Sequence, residues 1–398
     1  MKLSRVTKAV SFNQRVKRSL IVLIPLLITG CQRQSELEYV SSLEVKKLDP
    51  ELQTEIVKVL LDKSGTPART KMVGYKYHVS PQAENGEKLS KEQRKNTSKK
   101  SKERLSRDRE VQRQLHLGAA VYTRRCMQCH GVTGDGAGPA ADYMYPRPRD
   151  YRKGIFKFTT TPYGSKPRRS DLEATIKRGI RGTSMPSFKL LSEEELEAVV
   201  EYVLALTHRG ELEESLAYEV DSEEELDPDV IPEFIDEIEE AWEEAEISEV
   251  HPLTLQPEFT EEHVERGRKA FSAKGCVKCH GEDGRGQTKG NIGTDGWSFP
   301  TQAADLTSGM LHGGQKPIDI YRRILSGING TPMPGFKSLL QDNPETTWDL
   351  VSFVLYVSNE RRRGEIPPAG LVNPYPSSKP VEVKASDDDE EEEDDDDE

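Results

Sequence analysis

Two five-residue stretches carry the chemistry of this chain: Cys126-Met127-Gln128-Cys129-His130 and Cys276-Val277-Lys278-Cys279-His280. Two thiols separated by two residues, with a histidine directly after, is the spacing for covalent attachment of a c-type haem. The thiols add across the two vinyl groups of the porphyrin, and the adjacent imidazole becomes the proximal ligand of the iron. One copy of so short a pattern arises by chance; a second copy is far harder to explain that way. Two other chemistries use a Cys-x-x-Cys pair, a thioredoxin-like redox couple and half of a zinc site. The first needs a βαβ setting, whereas helical sequence flanks both copies here. The second leaves a further regularity unexplained, because each copy is followed at nearly the same distance by a methionine–proline pair. Met185 lies 55 positions after His130 and Met333 lies 53 positions after His280. A thioether is a soft donor that favours ferrous iron, so His/Met ligation raises the reduction potential and closes both axial positions. The expected cofactors are two covalently attached haem c groups. Their iron would be held by His130 and Met185 in one, and by His280 and Met333 in the other.

Other donors have no such pairing. Met144 and Met310 are the alternative sulfurs, and Met310 lacks the following proline. His78, His116, His208, His251, His263 and His312 have no matched position in the other module, so surface or core roles are the default. His312 is the exception, placed to compete for iron if Met333 were displaced.

With these residues in hand, both modules resemble class I cytochrome c domains. That family crosses an N-terminal helix, carrying a glycine and an aromatic four residues later, with a C-terminal helix carrying an aromatic. Gly118 and Tyr122 match the first helix in module one, and Gly267 and Phe271 match it in module two. Tyr202 and Phe353 match the second helix. A residue without a side chain lets two helices approach closely, and the rings fill the space beside it. The resemblance implies an all-α fold of two tandem domains, residues 111–209 and 260–360, and one-electron transfer rather than catalysis as the activity. It also implies that a proline carbonyl in the loop after the motif accepts the proximal N–H, and Pro139 is the match. The loop at 281–290 has no equivalent proline, so another carbonyl must serve there, one reason among others for the two potentials to differ. Arg149, Tyr151 and Arg152 stand where haem propionates need partners; the alternative for each is a solvent-facing loop side chain. Trp297 and Asp305 are weaker matches in module two.

The remaining chain must position and deliver these modules. Residues 1–30 read as an export signal, with Lys2, Arg5, Lys8, Arg15, Lys17 and Arg18 ahead of an apolar run at 20–28. That run is too short to span a bilayer, which takes about twenty apolar residues. It ends in Leu27-Ile28-Thr29-Gly30-Cys31, which resembles the lipobox of bacterial lipoproteins. The resemblance implies lipidation of Cys31 and a periplasmic, membrane-anchored protein, and Gln32 points to the outer membrane. The alternative is an ordinary signal peptide with a coincidental cysteine. All five cysteines are then assigned, and none is left for a disulfide.

Residues 31–80 form a helical extension. Asp49 is its N-cap, Pro50 its first position, Gly65 its stop, and Leu52, Ile56 and Leu60 a stripe for docking on module one. Residues 81–110 are charged and read as a flexible or partly helical insertion, or an arm for a partner. Residues 210–259 read as an acidic linker in which Phe234, Ile235, Ile238 and Trp242 form one amphipathic helix. Residues 361–398 read as a disordered Pro-rich and acidic tail. The net charge of −13 is concentrated, since the last twelve residues are all acidic. No aromatic-plus-basic motif appears, which excludes nucleic acid as a partner. The expected partners are redox proteins and, through Cys31, a membrane. Three classes remain: a free electron carrier, a haem subunit of a larger oxidoreductase or terminal oxidase, and a di-haem enzyme of the peroxidase or thiosulfate-oxidising type. The two Met-Pro loops weigh against the last.

Overall fold

The computed structural model describes residues 37–75, 91–286 and 293–359, for 91–101 the backbone alone. The export signal with Cys31, the first ten residues of the charged insertion, residues 287–292 and the tail at 361–398 lie outside the described residues. In chain order the helices are α1 (Leu43–Lys47), α2 (Pro50–Ser64), α3 (Lys91–Arg125), α4 (Met127–His130), α5 (Arg169–Arg178), α6 (Glu193–Glu223), α7 (Ile231–Ile247), α8 (Glu261–Ala273), α9 (Val277–His280), α10 (Pro317–Ser326), α11 (Lys337–Leu340) and α12 (Glu345–Ser358). Among the described residues the strands form two small antiparallel hairpins, β1 (Gly65–Thr66) with β2 (Arg69–Thr70), and β3 (Gly293–Thr294) with β4 (Pro300–Thr301). No helix among them is long and apolar enough to cross a membrane.

The same crossing is built twice. In module one α3 meets α6 so closely that a Cβ on Gly118 would lie 2.0 Å from the Ala198 carbonyl oxygen and 2.8 Å from Tyr202 Cβ. In module two α8 meets α12, and a Cβ on Gly267 would lie 2.0 Å from the Asp349 carbonyl oxygen and 2.8 Å from Phe353 Cβ. Only glycine permits either approach. The flanking rings fill what is left, with Tyr122 and Tyr202 centroids 5.1 Å apart and Phe271 and Phe353 centroids 5.0 Å apart.

α6 starts in a capping box: Ser192 Oγ accepts the Glu195 N–H at 3.1 Å, and the Glu195 carboxylate accepts the Ser192 N–H at 3.2 Å. It then runs well past the expected end of the module. Residues 210–223, assigned above to the linker for their acidity, are helix, because Leu212, Leu216 and Val220 carry the apolar stripe onward and are buried. That stripe packs against Val45, Ile56, Leu60 and Val73 of the N-terminal extension and against Ile238 and Trp242 of α7. α2 and α7 therefore dock where their own stripes direct them. Polar ties fix this satellite core. Trp242 Nε1 donates to Glu211 at 2.9 Å, and Arg209 pairs with Glu213 at 2.9 Å, both side chains nearly out of solvent. The charged insertion is helical from Lys91 on, in one piece with α3; its Lys, Glu, Arg and Gln content favours helix without any packing.

The two modules dock on each other directly. Val250 N bonds to the Thr160 carbonyl at 2.8 Å, and Leu253 N to the Tyr321 hydroxyl at 3.0 Å, so the connecting segment is stitched to both. Glu249 takes Arg168 from one side and Arg322 from the other. Asn329 of module two accepts from Gly164 N at 2.8 Å and donates to the Ser165 carbonyl at 3.1 Å.

Candidate haem centres

The first motif is wound as one helical turn. Cys126 N bonds to Tyr122 O at 2.8 Å and His130 N to Cys126 O at 2.9 Å, so α4 continues directly from α3. Positions i, i+3 and i+4 share a helix face, which gathers Cys126, Cys129 and His130 on one side. Gly131, at φ +77°, ends the turn. His130 Nδ1 donates to the Arg149 carbonyl at 3.1 Å, and its ring stacks on Tyr151 with centroids 4.7 Å apart. Burial pulls the imidazole pKa down to about 4, so the ring is neutral with its one proton on Nδ1 and its Nε2 lone pair free. Burial pushes the Cys126 thiol up to about 12 and the Cys276 thiol up to about 11, the opposite of what a reactive dithiol couple needs. No cluster of three His, Cys or carboxylate side chains suited to a metal occurs among the described residues.

The methionine arrives on a tight loop. α5 stops at Gly179, at φ +69°, where a Cβ would lie 2.5 Å from the Pro186 carbonyl carbon. Ile180 N then bonds to Met185 O at 3.1 Å, Thr183 N to Ile180 O at 3.2 Å, and Met185 N to Thr183 Oγ1 at 3.2 Å. Cys126, Cys129, His130 and Met185 all line one cleft, walled by Leu172, Ile176, Ile180, Phe188, Val199 and Val203. Thiols, a neutral imidazole, a thioether and apolar walls fit a covalently held haem.

Module two repeats the histidine and methionine-loop bonds, although Cys276 N bonds to Phe271 O at 3.0 Å across a turn that separates α9 from α8. His280 N bonds to Cys276 O at 2.9 Å, and His280 Nδ1 donates to the Ala304 carbonyl at 3.3 Å. α10 stops at Gly327, at φ +72°. Ile328 N bonds to Met333 O at 3.2 Å, Thr331 N to Ile328 O at 3.2 Å, and Met333 N to Thr331 Oγ1 at 3.2 Å.

Several expectations change. Pro139 does not hold the proximal N–H. Gly138 N and Ala140 N bond to Cys129 O and Gln128 O, which pins Pro139 against the end of α4. The carbonyl at Nδ1 comes instead from the returning segment, where Tyr151 N bonds to Gly134 O at 2.8 Å, as Leu306 N bonds to Gly284 O at 2.8 Å in module two. Arg149 and Ala304 are each two residues before that anchor. Both histidines are thus held alike, and the missing proline gives no ground for different potentials. Arg149 and Tyr151 line the cleft, whereas Arg152 forks onto Asp150 at 2.8 and 3.0 Å and does not line it. Asp305 caps its own turn, accepting from Thr307 N at 2.9 Å. His312 lines the cleft of module one. Asp295 lies 3.5 Å from Arg149 and 3.3 Å from Lys157, both of which line the cleft, and Trp297 Nε1 donates to the Asp150 carbonyl of module one at 3.0 Å. Burial draws Arg149 down to about 10 and, with the neighbouring Arg149 charge, Lys157 down to about 8, partly offset by Asp295. No local pattern marks Asp295 or Lys157, and Trp297, matched above to a module-two propionate contact, turns to the Asp150 carbonyl of module one instead.

Fold and site together define a tandem c-type cytochrome. Residues 113–203 match the family described as cytochrome c oxidase, cbb3-type, subunit III, and residues 264–358 match the family described as cytochrome c. The chain is a di-haem class I cytochrome c, two tandem domains that each bind one covalently attached haem c and its iron, and its activity is haem-based electron transfer. It is similar to a chain of the Kuenenia stuttgartiensis reducing HAO-like protein complex Kustc0457/Kustc0458, at 31% identity over 61% of this chain and 95% of that one, with a TM-score of 0.48. Comparison with curated proteins gives no match.

Proposed function

We propose that the protein is an exported one-electron carrier, anchored to a bacterial membrane through lipidated Cys31, that relays electrons between redox-partner proteins. The single observation behind this reading is the pair of identical methionine loops, since two closed axial positions suit a carrier and leave no open site for a substrate. Each haem, when bound, supplies a one-electron couple in which no bond is made or broken. The chain does the rest. Cys126, Cys129, Cys276 and Cys279 would tether the porphyrins, and His130, His280, Met185 and Met333 would hold the iron. The Arg149 and Ala304 carbonyls fix each imidazole's orientation and strengthen it as a donor. The apolar walls of the first cleft exclude water. Arg149 and Lys157, two cations beside one carboxylate, would receive propionates, while Tyr151 backs the His130 ring.

An optical potentiometric titration, run with and without carbon monoxide, tests this. Two one-electron waves unchanged by the gas are expected; rapid gas binding to the reduced protein would instead favour the peroxidase-type or thiosulfate-oxidising reading. A second reading, haem subunit of a larger oxidoreductase or terminal oxidase, is favoured by the match of residues 113–203 to an oxidase subunit family. Purification from membranes separates the two, because a carrier solubilises alone and a subunit travels with its enzyme core.

A further inference from the structure

Trp297 belongs to module two in sequence, yet its ring serves module one. It sits at the tip of the β3–β4 hairpin, where Asp295 Oδ1 accepts from both Trp297 N and Phe299 N at 3.1 Å. Its side chain is buried, 7% exposed. Nε1 donates to the Asp150 carbonyl at 3.0 Å, and the Arg149 guanidinium lies 3.5 Å above the ring centre. Asp150 directly follows the residue whose carbonyl holds His130. The far edge of the same indole lies on Gly330, where a Cβ would come within 2.6 Å of Cζ3 and 2.7 Å of Cη2. Gly296 N bonds to the Gly330 carbonyl at 3.0 Å. Gly330 belongs to the loop that presents Met333, and that loop's Thr331 carbonyl accepts from the Tyr163 hydroxyl of module one at 3.4 Å. One side chain thus touches the support of the proximal ligand in one module and the support of the distal ligand in the other. The links between them are two hydrogen bonds, a short stretch of backbone and van der Waals contact.

We propose that Trp297 is a positioning residue that couples the two iron centres, holding the His130 support and the Met333 loop in fixed relation and forming the contact across which they exchange an electron. The inference rests on the electron-transfer reading above. The exchange is balanced: one electron leaves the ferrous centre and reduces the ferric one, no proton moves, no bond changes, and the indole keeps its electrons.

The test uses the full holoprotein with Trp297→Phe, which keeps a ring in the wedge but removes the N–H, and Trp297→Ala, which removes both. Two readouts are taken: the rate at which an electron delivered to one haem by a photoreductant equilibrates with the other, and the weak red absorption band that reports methionine sulfur on ferric iron. In Trp297→Ala the equilibration is expected to slow, and on heating half of the band should disappear earlier than in the parent. Trp297→Phe, which keeps a ring but loses the bond to the Asp150 carbonyl, is expected to fall between. Should Trp297→Ala fail to fold, Gly330→Ala forces the indole off the loop and must move both readouts in the same direction. An unchanged rate with either the band intact or the band weakened overturns the proposal, the second outcome leaving Trp297 a purely structural residue. A protein that carries two haems but cannot be reduced by any redox partner would sink the carrier reading while leaving the wedge measurable through the band.

Discussion

Each proximal histidine spends its Nδ1 proton on a backbone carbonyl, Arg149 for His130 and Ala304 for His280. The Arg149 side chain meanwhile works at the cleft's edge, with Asp295 and Lys157 beside it. A cation beside a redox centre favours its more electron-rich state, so removing that charge should favour the ferric form. Arg149→Gln is therefore expected to lower the potential of the module-one haem by on the order of tens of millivolts, leaving the module-two wave in place. Spectroelectrochemical titration of parent and variant reads this directly, and a rise in the module-one potential would contradict it. The meeting of Cys126, Cys129, His130 and Met185 in one cleft was legible because the motif is local, thiols and imidazole falling within one helical turn, and because the Met-Pro pairs repeat at matched distance. The carbonyl that steadies the imidazole was not, because it depends on which later segment returns to the loop. Pro139 matches in sequence but is held elsewhere, because its neighbours Gly138 N and Ala140 N bond to Cys129 O and Gln128 O.

At the scale of elements, the helix crossings carry the scaffold. Gly118 and Gly267 were readable from the aromatics four residues on, and each meets a backbone carbonyl that any side chain would strike at 2.0 Å. Gly118→Ala must push α3 from α6, and Gly267→Ala must push α8 from α12. Overpacking of this kind costs about 1–3 kcal/mol. Since the carbonyls are backbone and cannot swing aside, the upper end is expected, seen as a lowered midpoint in thermal or denaturant unfolding. An alanine variant as stable as the parent would show that the crossing can open at no cost. The length of α6 was misjudged for a physical reason. Acidic composition between 211 and 223 masks a stripe, Leu212, Leu216 and Val220, that continues the helical spacing and lies inside the satellite core. Charge describes the outer face of a helix and says little about where the helix ends.

Across the whole molecule, the two modules are held together by a seam of ion pairs and hydrogen bonds that runs past both methionine loops. Glu249 is the seam's most exposed ionic link, gripped by Arg168 of module one and Arg322 of module two. Partial burial pushes its carboxyl up, but the two guanidiniums more than offset this and hold it below the ordinary glutamate value. A carboxyl held low in the folded protein contributes stability that is present above the unfolded value, about 4.3, and lost as pH falls through the folded one. Docking of the modules should accordingly be constant near neutral pH and weaken as the solution is taken below about 4.3. Glu249→Gln removes the titrating group. It is expected to cost about 1 kcal/mol or less at neutral pH, because the side chains remain partly open to solvent, and to flatten the acid limb of the stability curve. Thermal midpoints of parent and variant across that range decide the matter. Convergence of the two at low pH is the expected result, and a constant gap at every pH would mean that Glu249 acts through packing rather than charge. The consequence reaches the electron carriers themselves, because the same seam presses Trp297 onto Gly330. Acid that loosens Glu249 should therefore slow inter-haem equilibration in the parent before either methionine leaves its iron.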